Sequence, residues 1–190
     1  MPTLLQTEEL LKKMAPLVVT ASRSMQLIWT QKLIERDGLG IVAISQARVT
    51  AMAAMNDDEF ARAIKKYKWT KDEPFDWVPL PWQVVARKAD DCDGSAVLCC
   101  ATRKACKMYL ICAFNGNLPM RFDEWHYIAV QQQPEGFTVW SNFKMALECR
   151  TSGEYRAWIK KNYKWATMLV EVDPTMKGNP RALIKSFSAL

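Results

Sequence analysis

Apolar positions in the first third of the chain recur at helical spacing. Leu10, Leu11, Met14, Leu17 and Val18 follow a start at Thr7 with Glu8 and Glu9, and Pro16 is expected to interrupt or delay that helix. A second periodic run, through Met25, Ile28, Trp29, Leu33 and Ile34, stops at Asp37-Gly38. Ile41 to Met55, rich in alanine and methionine, reads as a further helix. Asn56-Asp57-Asp58 caps a short one carrying Phe60, Ala61, Ile64 and Tyr67. From Trp69 to Trp82 the periodicity fails, and Pro74, Pro79 and Pro81 predict an extended, irregular loop.

Beyond that loop the pattern changes. A run of small apolar residues, Ala96 to Ala101, predicts a buried helix that opens at Cys92. Lys107 to Ala113 reads as a buried strand, and Asn115-Gly116-Asn117 as a turn. Trp125–Gln131 and Gly136–Ser141 are expected to form a hairpin. Ser152–Tyr163 predicts a helix capped at Ser152 or Gly153, and Ala166–Val172 a strand stopped by Asp173-Pro174. Helices followed by one central helix and then mostly antiparallel strands define an α+β chain. Residues 1–68 are expected to form a helical region packed on a core of residues 69–190.

Composition narrows the class. The chain has 190 residues, 49% of them hydrophobic, enough for a sizeable core without disulfides or metals. The net charge of +6 is spread over Lys12-Lys13, Lys65-Lys66-Lys68, Arg103-Lys104 and Lys160-Lys161, as on a solvated surface. Arg23, Lys32, Arg36, Arg48, Lys65 and Lys66 lie in the same half as Trp29 and Tyr67, but no nucleic-acid-binding motif accompanies them. No apolar run is long enough to span a bilayer, and Met1-Pro2-Thr3 does not open a signal peptide. The expectation is cytoplasmic synthesis with six reduced cysteines and no cofactor. The cysteines include no CxxC pair, and one histidine cannot complete a zinc pattern, so no metal site is expected. Asp90, Asp91 and Asp93 lack the spacing of a calcium loop and read as helix caps.

The candidate chemistry centres on Cys92. A helix N-terminus and a nearby imidazole both favour the thiolate, the form that attacks a carbonyl carbon. Asp91 and Asp93 oppose it by charge repulsion. The sole histidine, His126, begins the predicted hairpin, and Asn142 follows its second strand. If Gln132 pairs with Gly136 across a three-residue loop, His126 stands opposite Asn142, with Cβ atoms about 5 Å apart. Asn142 would then fix the imidazole tautomer, whereas a slip by one residue would turn it to the other face. The backbone N–H of Cys92 and the side chain of Gln83 are the candidate oxyanion donors, and Trp82 reads as a core residue.

Asp91-Cys92-Asp93 resembles the Gly-Asp-Cys-Asp-Asp signature of the bacterial and bacteriophage transglutaminase-like cysteine proteinases. Pro81-Trp82-Gln83-Val84-Val85 and Trp125-His126-Tyr127-Ile128-Ala129-Val130 are similar to segments that flank it in that family. The likeness covers roughly residues 70–145. It implies a papain-like fold, with the Cys92 helix packed on an antiparallel sheet, and acyl transfer through a thioester by a Cys-His-Asp/Asn triad. Asp90 stands where the family has glycine, and Gly94 where it has a second acidic residue. Val172-Asp173-Pro174 resembles the Leu-Asp-Pro segment that carries the family's aspartate, so Asp173 is the alternative third member to Asn142. The expected activity is that of a cysteine peptidase or amidase acting on peptide or protein amide bonds, including cell-wall peptides. The alternative is a catalytically altered fold serving as a bacteriophage virion protein, touching other virion proteins through its tryptophan- and proline-rich loop and its basic tail, Lys177 to Lys185.

Overall fold

The computed structural model describes residues 4–71, 77–113, 125–175 and 184–190. The predicted turn at Asn115-Gly116-Asn117, Pro74, and Lys177 of the basic tail lie outside these residues.

Three helices lead the chain: α1 (Leu4–Asp37), α2 (Gly40–Ala53) and α3 (Asp57–Ile64). Contrary to the expected interruption, α1 runs continuously through Pro16. Pro16 is exposed, so its ring projects from the helix toward solvent. Buried Ala15 and Val19 hold the helix on both sides of the proline. Gly38 ends α1 with φ of 79° and an N–H bond back to the Ile34 carbonyl of 2.8 Å, as a C-terminal glycine does. Asn56 and Glu59 exchange side-chain–backbone bonds of 2.9 and 3.0 Å at the start of α3, forming a capping box.

The described ends of the proline-rich segment are more regular than its composition suggests. The segment begins with β1 (Lys68–Trp69) and ends in α4 (Pro81–Arg87). Pro81 occupies the first turn of α4, where a proline's missing N–H costs nothing. Trp77 and Trp82 are buried, so of its described tryptophans only Trp69, 53% exposed, offers the contact surface expected of this loop. β2 (Ala89–Asp90) pairs in parallel with β1 and leads into α5 (Cys92–Thr102).

The remaining elements are β3 (Cys106–Cys112), β4 (His126–Gln133), β5 (Gly136–Ser141), β6 (Lys144–Cys149), α6 (Ser152–Asn162), β7 (Met168–Val172) and β8 (Ile184–Ala189). The last six strands, β3 to β8, form one antiparallel sheet in the order β6-β5-β4-β3-β7-β8. Edge strands β6 and β8 were not expected, although Met145, Leu147 and Cys149 alternate as a strand should. Thr151, one residue earlier than predicted, caps α6.

Each face of the sheet buries a cluster. Met108, Leu110, Cys112, Tyr127, Ala129, Trp140 and Val170 pack against α5 and the N-terminal helices. Ile111, Ile128, Val130, Val139 and Leu169 pack against Tyr155 and Ile159 of α6. The result is a mixed α/β chain with three layers, the sheet lying between α6 and the other helices. Small residues Gly94, Ser95, Ala96 and Val97 let α5 fit, almost wholly buried, at the centre.

Candidate functional site

The site is built where α5 begins. Asp91 is its N-cap and accepts from the Asp93 N–H at 3.2 Å, so Cys92 is the first residue of the helix. Asp90, fully buried, pairs with Arg87 at 2.9 Å and accepts from the Asp91 N–H at 3.1 Å. The Arg87 guanidinium lies 4.3 Å from the Trp29 ring centre and 5.6 Å from that of Trp77, so α1 and the tryptophan segment brace the Asp90 pair. A Cβ on Gly94 would come within 2.6 Å of the Asp90 Cβ. Asp90 and Gly94 are therefore a matched pair: the carboxylate fills the space that a side chain at 94 would need.

One turn into α5, the Ser95 hydroxyl accepts from the Phe143 N–H at 2.7 Å. Phe143 belongs to the β5–β6 turn, in which Ser141 pairs with Lys144 and Asn142 and Phe143 have φ of 49° and 58°. Positive φ at both central residues defines a type I′ turn. The Ser95 bond clamps the N-terminal end of α5 to the hairpin end that carries the imidazole.

The hairpin exists but its register differs from the expected one. Gln133 pairs with Gly136 across the two residues Pro134-Glu135, and Ala129 pairs with Trp140. That is one residue away from the pairing that would set His126 opposite Asn142. Asn142 is a turn residue instead, and its buried Oδ1 accepts no hydrogen bond among the described residues. The close approach of β6 to Gly136 fixes this turn, because a Cβ there would collide with the Cys149 carbonyl and lie 2.9 Å from the Arg150 Cα.

His126 bonds Ser141 instead, Nε2 to Oγ at 2.9 Å. The register explains the choice. Val130 faces Val139 and both pack toward α6, so Ile128 and Ser141 share that face, and His126, two residues before Ile128, is the diagonal neighbour of Ser141. On the same side, Tyr163 stacks on the imidazole with ring centres 4.8 Å apart and planes 24° apart. The Ser141 hydroxyl also reaches the Tyr163 phenol. Trp158 and Trp165 set their edges against Tyr163 at 6.0 and 5.9 Å. Sequence reading missed Ser141 and Tyr163; a two-residue hairpin loop and the period-2 alternation would have pointed to Ser141, while no local signal marks Tyr163.

Electrostatics tie Cys92 to this cluster. Burial lowers the His126 pKa to about 4, and the Asp91 charge partly opposes that shift. Burial also raises the Tyr163 phenol, the Ser141 bond lowers it, and the Cys92 thiol raises it. At neutral pH both rings are uncharged. None of the six cysteines forms a disulfide. Burial pushes Cys99 well up and Cys112 to about 12, and Cys149 is raised chiefly by burial. Cys100 is raised chiefly by its bond to Cys106, with the sulfurs 3.8 Å apart.

The other two predicted site residues lie elsewhere. Gln83 is fully buried, and its amide donates to the Gln26 carbonyl at 2.7 Å and the Thr30 hydroxyl at 3.0 Å. Its oxygen accepts from the Leu80 N–H at 2.9 Å. Both amide hydrogens are engaged in tying α4 to α1, so neither serves an oxyanion. Asp173 accepts from the Thr175 N–H and hydroxyl at 2.9 and 2.7 Å and pairs with Lys185 at 3.5 Å. His126 aligns with Ile111 and Ile111 with Leu169, which places Asp173 two strands across and four residues along from His126. That separation is about 16 Å at ordinary strand dimensions. Asp173 therefore does not orient the imidazole.

Asp90, Asp91 and Asp93 bring carboxylate oxygens within 4.8 Å of one another, the one donor set for a hard cation among the described residues. Arg87 already neutralises Asp90, and Asp91 caps the helix. No helix among the described residues is long and apolar enough to cross a membrane. Searched against protein-family models, curated proteins and solved structures, the chain has no match.

Proposed function

We propose that the protein is a thiol-dependent acyl-transfer enzyme of papain-like, transglutaminase-like architecture. The observation that carries this reading is the Ser95–Phe143 clamp, which fastens the helix start bearing Cys92 to the hairpin bearing His126. Cys92 Sγ attacks the carbonyl carbon of a peptide or protein amide, and its proton passes to His126. The backbone N–H of Cys92, at the helix N-terminus, faces the developing oxyanion. Collapse breaks the C–N bond, the amine leaves with the proton from His126, and a Cys92 thioester remains. Water or a second amine then takes the acyl group and regenerates the thiol. The reciprocal fit of Asp90 and Gly94 supports the likeness to the Gly-Asp-Cys-Asp-Asp signature, since acidic and small residues exchange places across one contact.

An activated ester tests the reading without knowledge of the natural substrate. With p-nitrophenyl acetate, a burst of nitrophenolate stoichiometric with protein and an acetyl group on the Cys92 peptide are expected. No burst, or an equal burst from C92A, contradicts it.

A second reading keeps the architecture and drops the catalysis, as in an accessory protein of a bacteriophage particle. The low His126 pKa favours it, because a ring held neutral by burial is a weaker base toward the thiol. So do Leu17, Leu27, Leu39, Ile44 and Trp69, each more than half exposed. Co-purification with assembled particles, together with an inert Cys92, is the outcome this reading requires.

A further inference from the structure

We propose that Ser141 is the positioning residue of the thiol site, holding His126 by Nε2 so that Nδ1 is the nitrogen that takes the Cys92 proton, with Tyr163 locking the ring. This rests on the acyl-transfer reading and assigns the part that sequence spacing had given to Asn142.

The argument begins with the two ring nitrogens. Nε2 lies 2.9 Å from the Ser141 Oγ, so Nδ1 is left for the thiol. Ser141 is buried, which makes its bond to the imidazole costly to leave unmade. Tyr163 covers one ring face at 4.8 Å and shares the same hydroxyl, so rotation of the imidazole breaks a stack and a hydrogen bond together. The buried Asn142 Oδ1 makes no hydrogen bond among the described residues.

Proton accounting defines what Ser141 does. When the thiol proton reaches Nδ1, both ring nitrogens carry hydrogen. The Ser141 oxygen then accepts from Nε2–H, while its own O–H donates to the Tyr163 phenol oxygen, the direction that lowers the phenol. The neutral imidazole that precedes this state carries its hydrogen on Nε2, the tautomer whose Nδ1 lone pair faces the thiol. A hydroxyl is a weaker partner for an imidazolium than a carboxylate, because it brings no negative charge. His126 meets Ser141 from β5 and the Tyr163 ring after α6, and the charge of Asp91 at the start of α5 acts on it; Cys92 acts on the neighbouring Tyr163 phenol, and among these groups Asp91 is the one carboxylate. A carboxylate at 141 would add the missing charge and make the ring a stronger base.

His126 is the sole histidine, so the imidazole signals in a proton–nitrogen NMR spectrum of the full chain belong to one ring. Wild type, S141A, S141T, S141D and Y163F are titrated. The wild type is expected to hold the Nε2-protonated tautomer, S141A to populate both tautomers, and S141T to restore one. S141D is expected to move the titration midpoint up by about 1 pH unit or more. Alkylation of Cys92 by iodoacetamide at pH 7 should slow about three- to tenfold in S141A and recover in S141T. If S141A folds and keeps the wild-type tautomer and midpoint, the assignment is overturned. If S141D fails to fold, S141T and Y163F still decide the tautomer. A tautomer change in S141A with a Cys92 inert in every variant upholds the positioning by Ser141 and removes the acyl-transfer reading instead.

Discussion

A half-buried histidine held as a neutral ring makes the fold sensitive to acid. The unfolded chain protonates this imidazole near pH 6.5, whereas the folded one does so only near 4. Between those values the unfolded state binds the extra proton, so stability falls as pH falls through that window. The full difference amounts to about 3 kcal/mol. Urea unfolding at pH 7 and pH 4.5 should show this loss in the wild type and a smaller one in H126Q. Equal losses in the two proteins would mean that the ring is not held neutral. Asp90 and Gly94 make a second residue-scale prediction. G94A should destabilise the wild type by about 1–3 kcal/mol through overpacking against Asp90, and by much less in a D90A background. A thermal-melt double-mutant cycle measures the coupling, and additive losses would contradict the contact.

Elements place these residues, and the decisive joint is the one between α5 and the β5–β6 turn. Removing the Ser95 hydroxyl leaves the Phe143 N–H buried without its acceptor, at a cost of about 1–3 kcal/mol. S95A should therefore lower stability and also slow Cys92 alkylation. N142G should do neither, since glycine suits the positive φ at position 142 and the amide oxygen makes no hydrogen bond among the described residues. Loss of Cys92 reactivity in a folded N142G would return the orienting role to Asn142. Much at this scale was legible beforehand, because it depends on local pattern. Asn56 marks a cap, Gly38 a helix end, and the small apolar run after Cys92 a buried helix. The hairpin was legible as a pair of strands but not in register, because Pro134-Glu135 serves a two- or a three-residue loop equally well until β6 closes on Gly136. That one-residue difference exchanges Asn142 for Ser141 beside the histidine.

Across the whole molecule, the site depends on layers that lie far apart in sequence. The start of α5 carries the thiol, the sheet carries the imidazole, and Tyr163 reaches the imidazole from the end of α6, which packs on the sheet face away from α5. The N-terminal helices brace the other side through Trp29, Arg87 and Asp90. Gln83 belongs to this bracing: its bonds span α1 and α4, which no local pattern could announce, since a buried glutamine and a catalytic one look alike in sequence. Asp173 misleads for the same reason, as its Asp-Pro setting is a strand end whichever end of the sheet it occupies.

The central claim is that Cys92 is the activated thiol among six. Timed alkylation of the native protein with iodoacetamide, mapped peptide by peptide, tests it most directly. Cys92 is expected to react at least about tenfold faster than the other five cysteines at pH 7 and to lose that advantage in H126A. A Cys92 that reacts no faster than the other five, or that is indifferent to His126, would contradict the account.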